Sequence, residues 1–111
     1  VLSVAKLGNA ILLGRGANFL LPGALHVCID ASDDHRTHNL MRIEQIDEAK
    51  AAARTKELDR ERHRFLTHTY GKRRVESAPY DLTLWMDKLT IEGAAEIIKA
   101  ALEDRFKLSL R

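Results

Sequence analysis

The feature that most constrains the fold is a strand-type run followed at once by a capped helix, and it occurs twice. "ALHVCI", residues 24 to 29, is apolar without alternation, as suits a strand covered on both faces. Asp30 follows at its carboxyl end. Ser32 is then a strong N-cap, with Asp33 and Asp34 at the positive end of the coming helix dipole. "YDLTLWM", residues 80 to 86, alternates and is rich in β-formers, so it is a second such strand. Thr90 caps the helix after it, with Glu92 and Glu96 near the start. Strands interleaved with helices imply a mainly parallel sheet, and therefore an α/β fold.

The remaining segments fill in this scheme. Ala10 to Leu13 is a further apolar run, expected as a strand preceding the other two. Gly14 to Gly23 is a connection in which Phe19, Leu20 and Leu21 pack down onto the core. Leu2, Ala5 and Leu7 lie on one side of a helix stopped by Gly8 and Asn9. The helix capped by Ser32 runs from about Asp33 to Ile43. A long helix starts at Asp47 and ends at Gly71, with a composition of high helix propensity. Its apolar stripe is thin: Ala49, Ala53, Leu58, Phe65 and Leu66. Residues 72 to 79 form a loop. In the last helix Ile91, Ala94, Ala95, Ile98, Ala101 and Leu102 make an apolar face at 3.6-residue spacing. Trp85 is assigned to the core.

A chain of 111 residues is one domain, large enough to bury a core without a disulfide or metal staple. The single cysteine, Cys28, lies in an apolar run and reads as a small buried hydrophobe. No apolar run reaches the 18 residues of a membrane span and no signal peptide is visible, so a cytoplasmic protein is expected. The opening, without Met, reads as the tail of an element that begins upstream.

Charge is nearly balanced overall, at 18 basic and 16 acidic residues, but it is unevenly placed. Residues 54 to 74 hold eight Arg or Lys against three acids, plus two His. Such a patch suits phosphates. Arginine is the side chain for that task, because its planar fork binds phosphate oxygens bidentately and stays charged. Arg60 and Arg64 are spaced i, i+4 and share a helix face. Arg15 follows the first apolar run, and Arg36 lies in the first turn or so after Ser32. His35 and His38 are i, i+3, but no third ligand is well placed, so no metal site is expected.

Taken as a set, these segments resemble the cytidylate kinase-like family of P-loop nucleoside monophosphate kinases. "GRGANFLLPGALHVCIDAS" is similar to the family's strand-end Gly-Arg, proline and capped second strand. "DDHR" looks like its acidic helix start followed by an arginine. "LDRERHRF" is similar to the Asp/Arg-rich lid segment, and "APYDLTLWMDKLTIEGAAEIIKAAL" to the closing strand and helix. The resemblance implies that residues 1–111 are the C-terminal portion of a three-layer P-loop NTPase-type domain, with a lid-like helical segment at about 47–74. It implies transfer of the ATP γ-phosphoryl to a nucleoside monophosphate such as CMP, with Mg²⁺. The corresponding roles are Arg60 and Arg64 as catalytic residues, Arg15, Asn18 and Asp59 on the substrate, and Arg36 on ATP.

Two departures stand out. The phosphate-cradling G-x-x-x-x-G-K-[ST] loop appears nowhere in these residues, and "YGKRR" does not supply it. The resemblance places it upstream. Gly16 also stands where the family carries an aspartate after Gly-Arg. Two rival readings remain: a non-catalytic nucleotide- or phosphate-sensing module derived from such a kinase, and, ranked last, a basic helical nucleic-acid binder using residues 54 to 74.

Overall fold

The computed structural model describes residues 10–14, 16–73 and 80–107, for Ala17 the backbone only. The described residues form α1 (Ala17–Leu20), β1 (Val27–Asp30), α2 (Asp33–Glu44), α3 (Glu48–Tyr70), β2 (Leu82–Trp85) and α4 (Ile91–Phe106). The chain divides into two compact units. One comprises Val1–Ala24 and Leu58–Pro79, the other Leu25–Glu57 and Tyr80–Arg111, so the boundary falls within α3.

The unit containing the strands is an α/β arrangement. β1 and β2 pair in parallel, with Val27 opposite Leu82, Cys28 opposite Thr83, Ile29 opposite Leu84 and Asp30 opposite Trp85. Two aspartates, one just before β2 and one just after it, hold this register. The Asp81 carboxylate accepts from the His26 backbone N–H at 2.8 Å, while the Asp81 and Leu82 amides donate to the His26 carbonyl. At the other end the Asp87 carboxylate accepts from the Ser32 N–H at 2.8 Å, and the Met86 amide donates to the Asp30 carbonyl. Both side-chain clamps join residues 55 apart in sequence, the same offset as the strand pairing. A slip by one residue would break both and turn the buried side chains outward.

The helix boundaries follow local chemistry. Ser32 caps α2, its hydroxyl accepting from the His35 N–H at 3.1 Å. Asp47 caps α3 through the Lys50 N–H at 2.8 Å, and Thr90 caps α4 through the Gly93 N–H at 2.9 Å. Each side-chain acceptor satisfies a donor that a helix start leaves unpaired. α3 stops at Gly71, which has φ 88°, as expected. α2 and α4 end instead on the left-handed residues Gln45 and Lys107.

Buried positions correct several sequence expectations. In β2 it is Leu84 that is buried, at 4% exposure, while Trp85 is 51% exposed. Strand side chains alternate in direction, so burying Leu84 turns Trp85 outward. Along α3 the buried residues are Ala51, Thr55 and Leu66, while Ala49 and Ala53 are exposed and Phe65 is partly so. Thr55 joins this stripe because its hydroxyl donates to the Ala51 carbonyl at 2.9 Å, which removes the cost of burying it. In α4, Ala94 is buried and Ile98, Ala101 and Leu102 are half-buried, but Ile91 and Ala95 are exposed. Cys28 is half-buried rather than enclosed.

The expected first strand is not formed. Ala10 to Leu13 has no regular structure, and Ile11 and Leu13 are about nine-tenths exposed. An apolar run becomes a strand only when a neighbouring strand takes its backbone hydrogen bonds, and among the described residues none does. The connection after it contains α1, whose Phe19 ring lies 4.8 Å from that of Tyr70, tilted by 33°. The expected helix over residues 2 to 7 and residues 74 to 79 of the expected loop lie outside the described residues; Lys72 and Arg73, expected in that loop, are helical.

Candidate functional site

The second half of α3 carries a shallow open groove lined by Asp59, Arg60, His63, Arg64, Thr67 and His68. All six come from one helix. They form two adjacent i, i+4 ridges: Asp59, His63 and Thr67 on one, Arg60, Arg64 and His68 on the other. Rows at this spacing are the natural ridges of an α-helix, and a groove runs between neighbouring rows. One ridge offers a carboxylate, an imidazole and a hydroxyl, the other two guanidinium groups and an imidazole.

The state of the arginines sets this face apart. Arg36 reaches Asp33 at 3.7 Å, Arg42 donates to Asn39 at 2.7 Å, Arg54 pairs with Glu57 at 3.4 Å, and Arg105 lies over the Phe106 ring. Arg60 and Arg64 have no hydrogen-bond or ion-pair partner among the described residues. They stand i, i+4 to one another, a like-charge spacing that costs an isolated helix about 0.2–0.5 kcal/mol. Arg62 is also without such a partner, but it is not part of the groove. Two guanidiniums without such partners among the described residues thus stand on one exposed face, and planar guanidinium forks are suited to anionic oxygens.

The other residues expected at a site are placed differently. Asn18 lies in α1, and its Nδ2 is shut off from solvent with no partner among the described residues. A buried orphan donor of this kind costs about 1–3 kcal/mol. Arg36 belongs to the unit of the strands, in the second turn of α2. Arg15 lies outside the described residues. Its neighbour Gly16 has φ 68°, and a Cβ there would stand 2.3 Å from Cε2 of Tyr70. Glycine is therefore required at this point, and the Tyr70 ring leaves no room for the aspartate that the family pattern expects.

The carboxyl edge of the β1–β2 pair is a second polar cluster. Hydrogen bonds from the Ser32 hydroxyl and then the Ser32 N–H hold the Asp87 carboxyl below the usual carboxylate range, aided by His35 and Lys88 and opposed by partial desolvation. The Ser32 hydroxyl thus donates to Asp87 while accepting from His35, using its one hydrogen and a lone pair. Loops at the carboxyl ends of parallel strands are where α/β folds form their ligand crevices. His63, Thr67 and His68 were not expected at a site. The i, i+4 continuation from Asp59 and Arg64 is the signal in the sequence that marks them.

A model of the cytidylate kinase-like family matches residues 1–88. The chain belongs to this family. No curated protein and no solved structure matches it. The matched span takes in the α3 groove, Gly16 and both aspartate clamps, and α4 lies beyond it. Membership in the cytidylate kinase-like family supports a kinase-like relationship and the use of nucleotides. Among the described residues no helix is long and apolar enough to cross a membrane, and no group of three His, Cys, Asp or Glu is placed to hold a metal ion.

Proposed function

We propose that the intact protein transfers the γ-phosphoryl of ATP to a nucleoside monophosphate such as CMP, and that the α3 groove is its phosphate-binding lid surface within a three-layer P-loop NTPase-type domain. The observation that carries this reading is the pair Arg60 and Arg64, unpartnered among the described residues and aligned on one groove. Phosphoryl transfer needs little covalent help from the protein and much positioning and charge neutralisation. Two aligned guanidiniums supply the latter. Asp59 on the adjacent ridge accepts hydrogen bonds from the nucleoside. Asn18 offers an amide donor, Arg15 orients the acceptor phosphate, and Arg36 exchanges Asp33 for a phosphate of ATP.

Among the described residues no group of three His, Cys, Asp or Glu is placed to cage a resident metal ion, and Mg²⁺ is ordinarily held by one or two carboxylates together with the nucleotide's own phosphates. In this reading it arrives on ATP, and no step here depends on it. The 111 residues also contain no G-x-x-x-x-G-K-[ST] loop, so the donor phosphates need a cradle supplied elsewhere. A second reading is a non-catalytic nucleotide- or phosphate-sensing module derived from such a kinase; an intact loop of this kind supports the enzyme and a degenerate one the sensor.

A coupled assay of the full-length protein with ATP and CMP separates them. The expected result is turnover that falls about 100-fold or more in the Arg60→Ala, Arg64→Ala double variant, on the scale of cationic phosphate clamps. Nucleotide binding without turnover in the wild type would support the sensing module. Equal turnover in wild type and double variant would remove these arginines from the mechanism.

A further inference from the structure

The two threonines of α3 that make side-chain hydrogen bonds spend their hydroxyls differently. The Thr55 hydroxyl donates to the backbone carbonyl four residues back, the usual resort of a threonine inside a helix. The Thr67 hydroxyl instead faces Nε2 of His63, at 3.5 Å, the long end of hydrogen bonding. Among the described residues no other side-chain acceptor for the Thr67 hydroxyl is present. When the hydroxyl donates to Nε2, the remaining proton of a neutral imidazole sits on Nδ1; in the other tautomer Nε2–H donates to the hydroxyl oxygen. His63 occupies the middle of its ridge, four residues from both Asp59 and Thr67 and next to Arg64 across the groove.

From this arrangement we propose that His63 is a phosphate-contacting residue of the groove, donating from Nδ1–H, and that Thr67 is the positioning residue that fixes this tautomer. The inference rests on the reading of the groove as a phosphate site and adds a third donor to Arg60 and Arg64. Its ligand is a phosphate monoester or polyphosphate oxygen, carried by either the nucleoside monophosphate or ATP. An imidazole held as an Nδ1–H donor complements such an oxygen, whereas the other tautomer would present a lone pair and repel it.

The test uses the full-length protein, titrated separately with ATP and with CMP at fixed salt, alongside long-range ¹H–¹⁵N spectra of the histidine rings. His63→Gln is expected to weaken binding about 3- to 10-fold, the scale of one lost hydrogen bond, for whichever nucleotide places its phosphate here. Thr67→Val is expected to weaken the same nucleotide by a smaller factor and to shift the His63 tautomer, and Thr67→Ser to restore both. Wild-type affinity for both nucleotides in His63→Gln overturns the proposal, as does an unchanged tautomer in Thr67→Val. If His63→Gln is silent while Arg60→Ala weakens binding, only this inference fails. If both are silent, the phosphate-site reading fails with it.

Discussion

The α3 groove and the carboxyl edge of the β1–β2 pair are both polar clusters on this chain, but they are assembled in opposite ways. The groove takes all six lining residues from one stretch of ten, and helical periodicity alone brings them together. The strand edge joins Ser32 to Asp87 across 55 residues, as His26 joins Asp81 at the opposite end of the strands, so it exists only once the parallel pair has formed. In the groove, the arginines have no partner among the described residues, although their like charges oppose one another. At the strand edge every polar group named is engaged and serves the fold. The first cluster therefore has spare binding capacity and little structural duty, and the second the reverse.

The comparison sharpens into measurements. The largest expected effect is the loss of turnover in the Arg60→Ala, Arg64→Ala double variant. Its stability should stay within about 0.5 kcal/mol of wild type, as for exposed substitutions away from special features. A clear drop in thermal midpoint would break the contrast, because it would give the groove a structural role.

Next in size is Gly16→Asp. The added side chain would meet the Tyr70 ring and occupy a left-handed backbone position, so a loss of about 2–4 kcal/mol is expected in denaturant unfolding. Here the groove's own unit depends on a tertiary contact, and unchanged stability would show that the Gly16–Tyr70 packing is dispensable. Ser32→Ala removes a helix cap and the hydroxyl partner of Asp87, and should cost about 1 kcal/mol.

The smallest effect concerns acid. Asp87 has a folded-state pKa below its unfolded value, so its contribution is fully present above the ordinary aspartate pKa of about 3.9. It is lost as pH falls from there through the lowered folded value. Asp87→Asn should flatten the acid limb of the stability curve in that window and leave the slope above about pH 5 unchanged. An identical acid limb in the variant would remove Asp87 from the linkage.

Much of the local structure was legible in the residues. Ser32, Asp47 and Thr90 mark helix starts because a short oxygen-bearing side chain there satisfies donors only a few residues away. Gly71 marks the end of α3 for an equally local reason, and the Asp59, Arg60 and Arg64 face follows from spacing. The misjudged positions all depended on distant neighbours. Ala10 to Leu13 has the composition of a strand but no paired edge among the described residues. Hydrophobicity alone turns Trp85 inward, whereas in the strand paired with β1 Leu84 is the inward residue. Thr55 is polar by composition, and only its hydrogen bond to the Ala51 carbonyl lets it join the buried stripe.

The sequence by itself determined α2, α3 and α4 with their N-caps, the charged face of α3 and the parallel α/β character, since each depends on interactions within a few residues or on periodicity. Tertiary structure alone decided the 55-residue register, the side of β2 that is buried, and the fit of Gly16 against Tyr70. Those depend on which surfaces meet, and steric fit and hydrogen-bond pairing between distant segments have no signature in the spacing of residues along one segment.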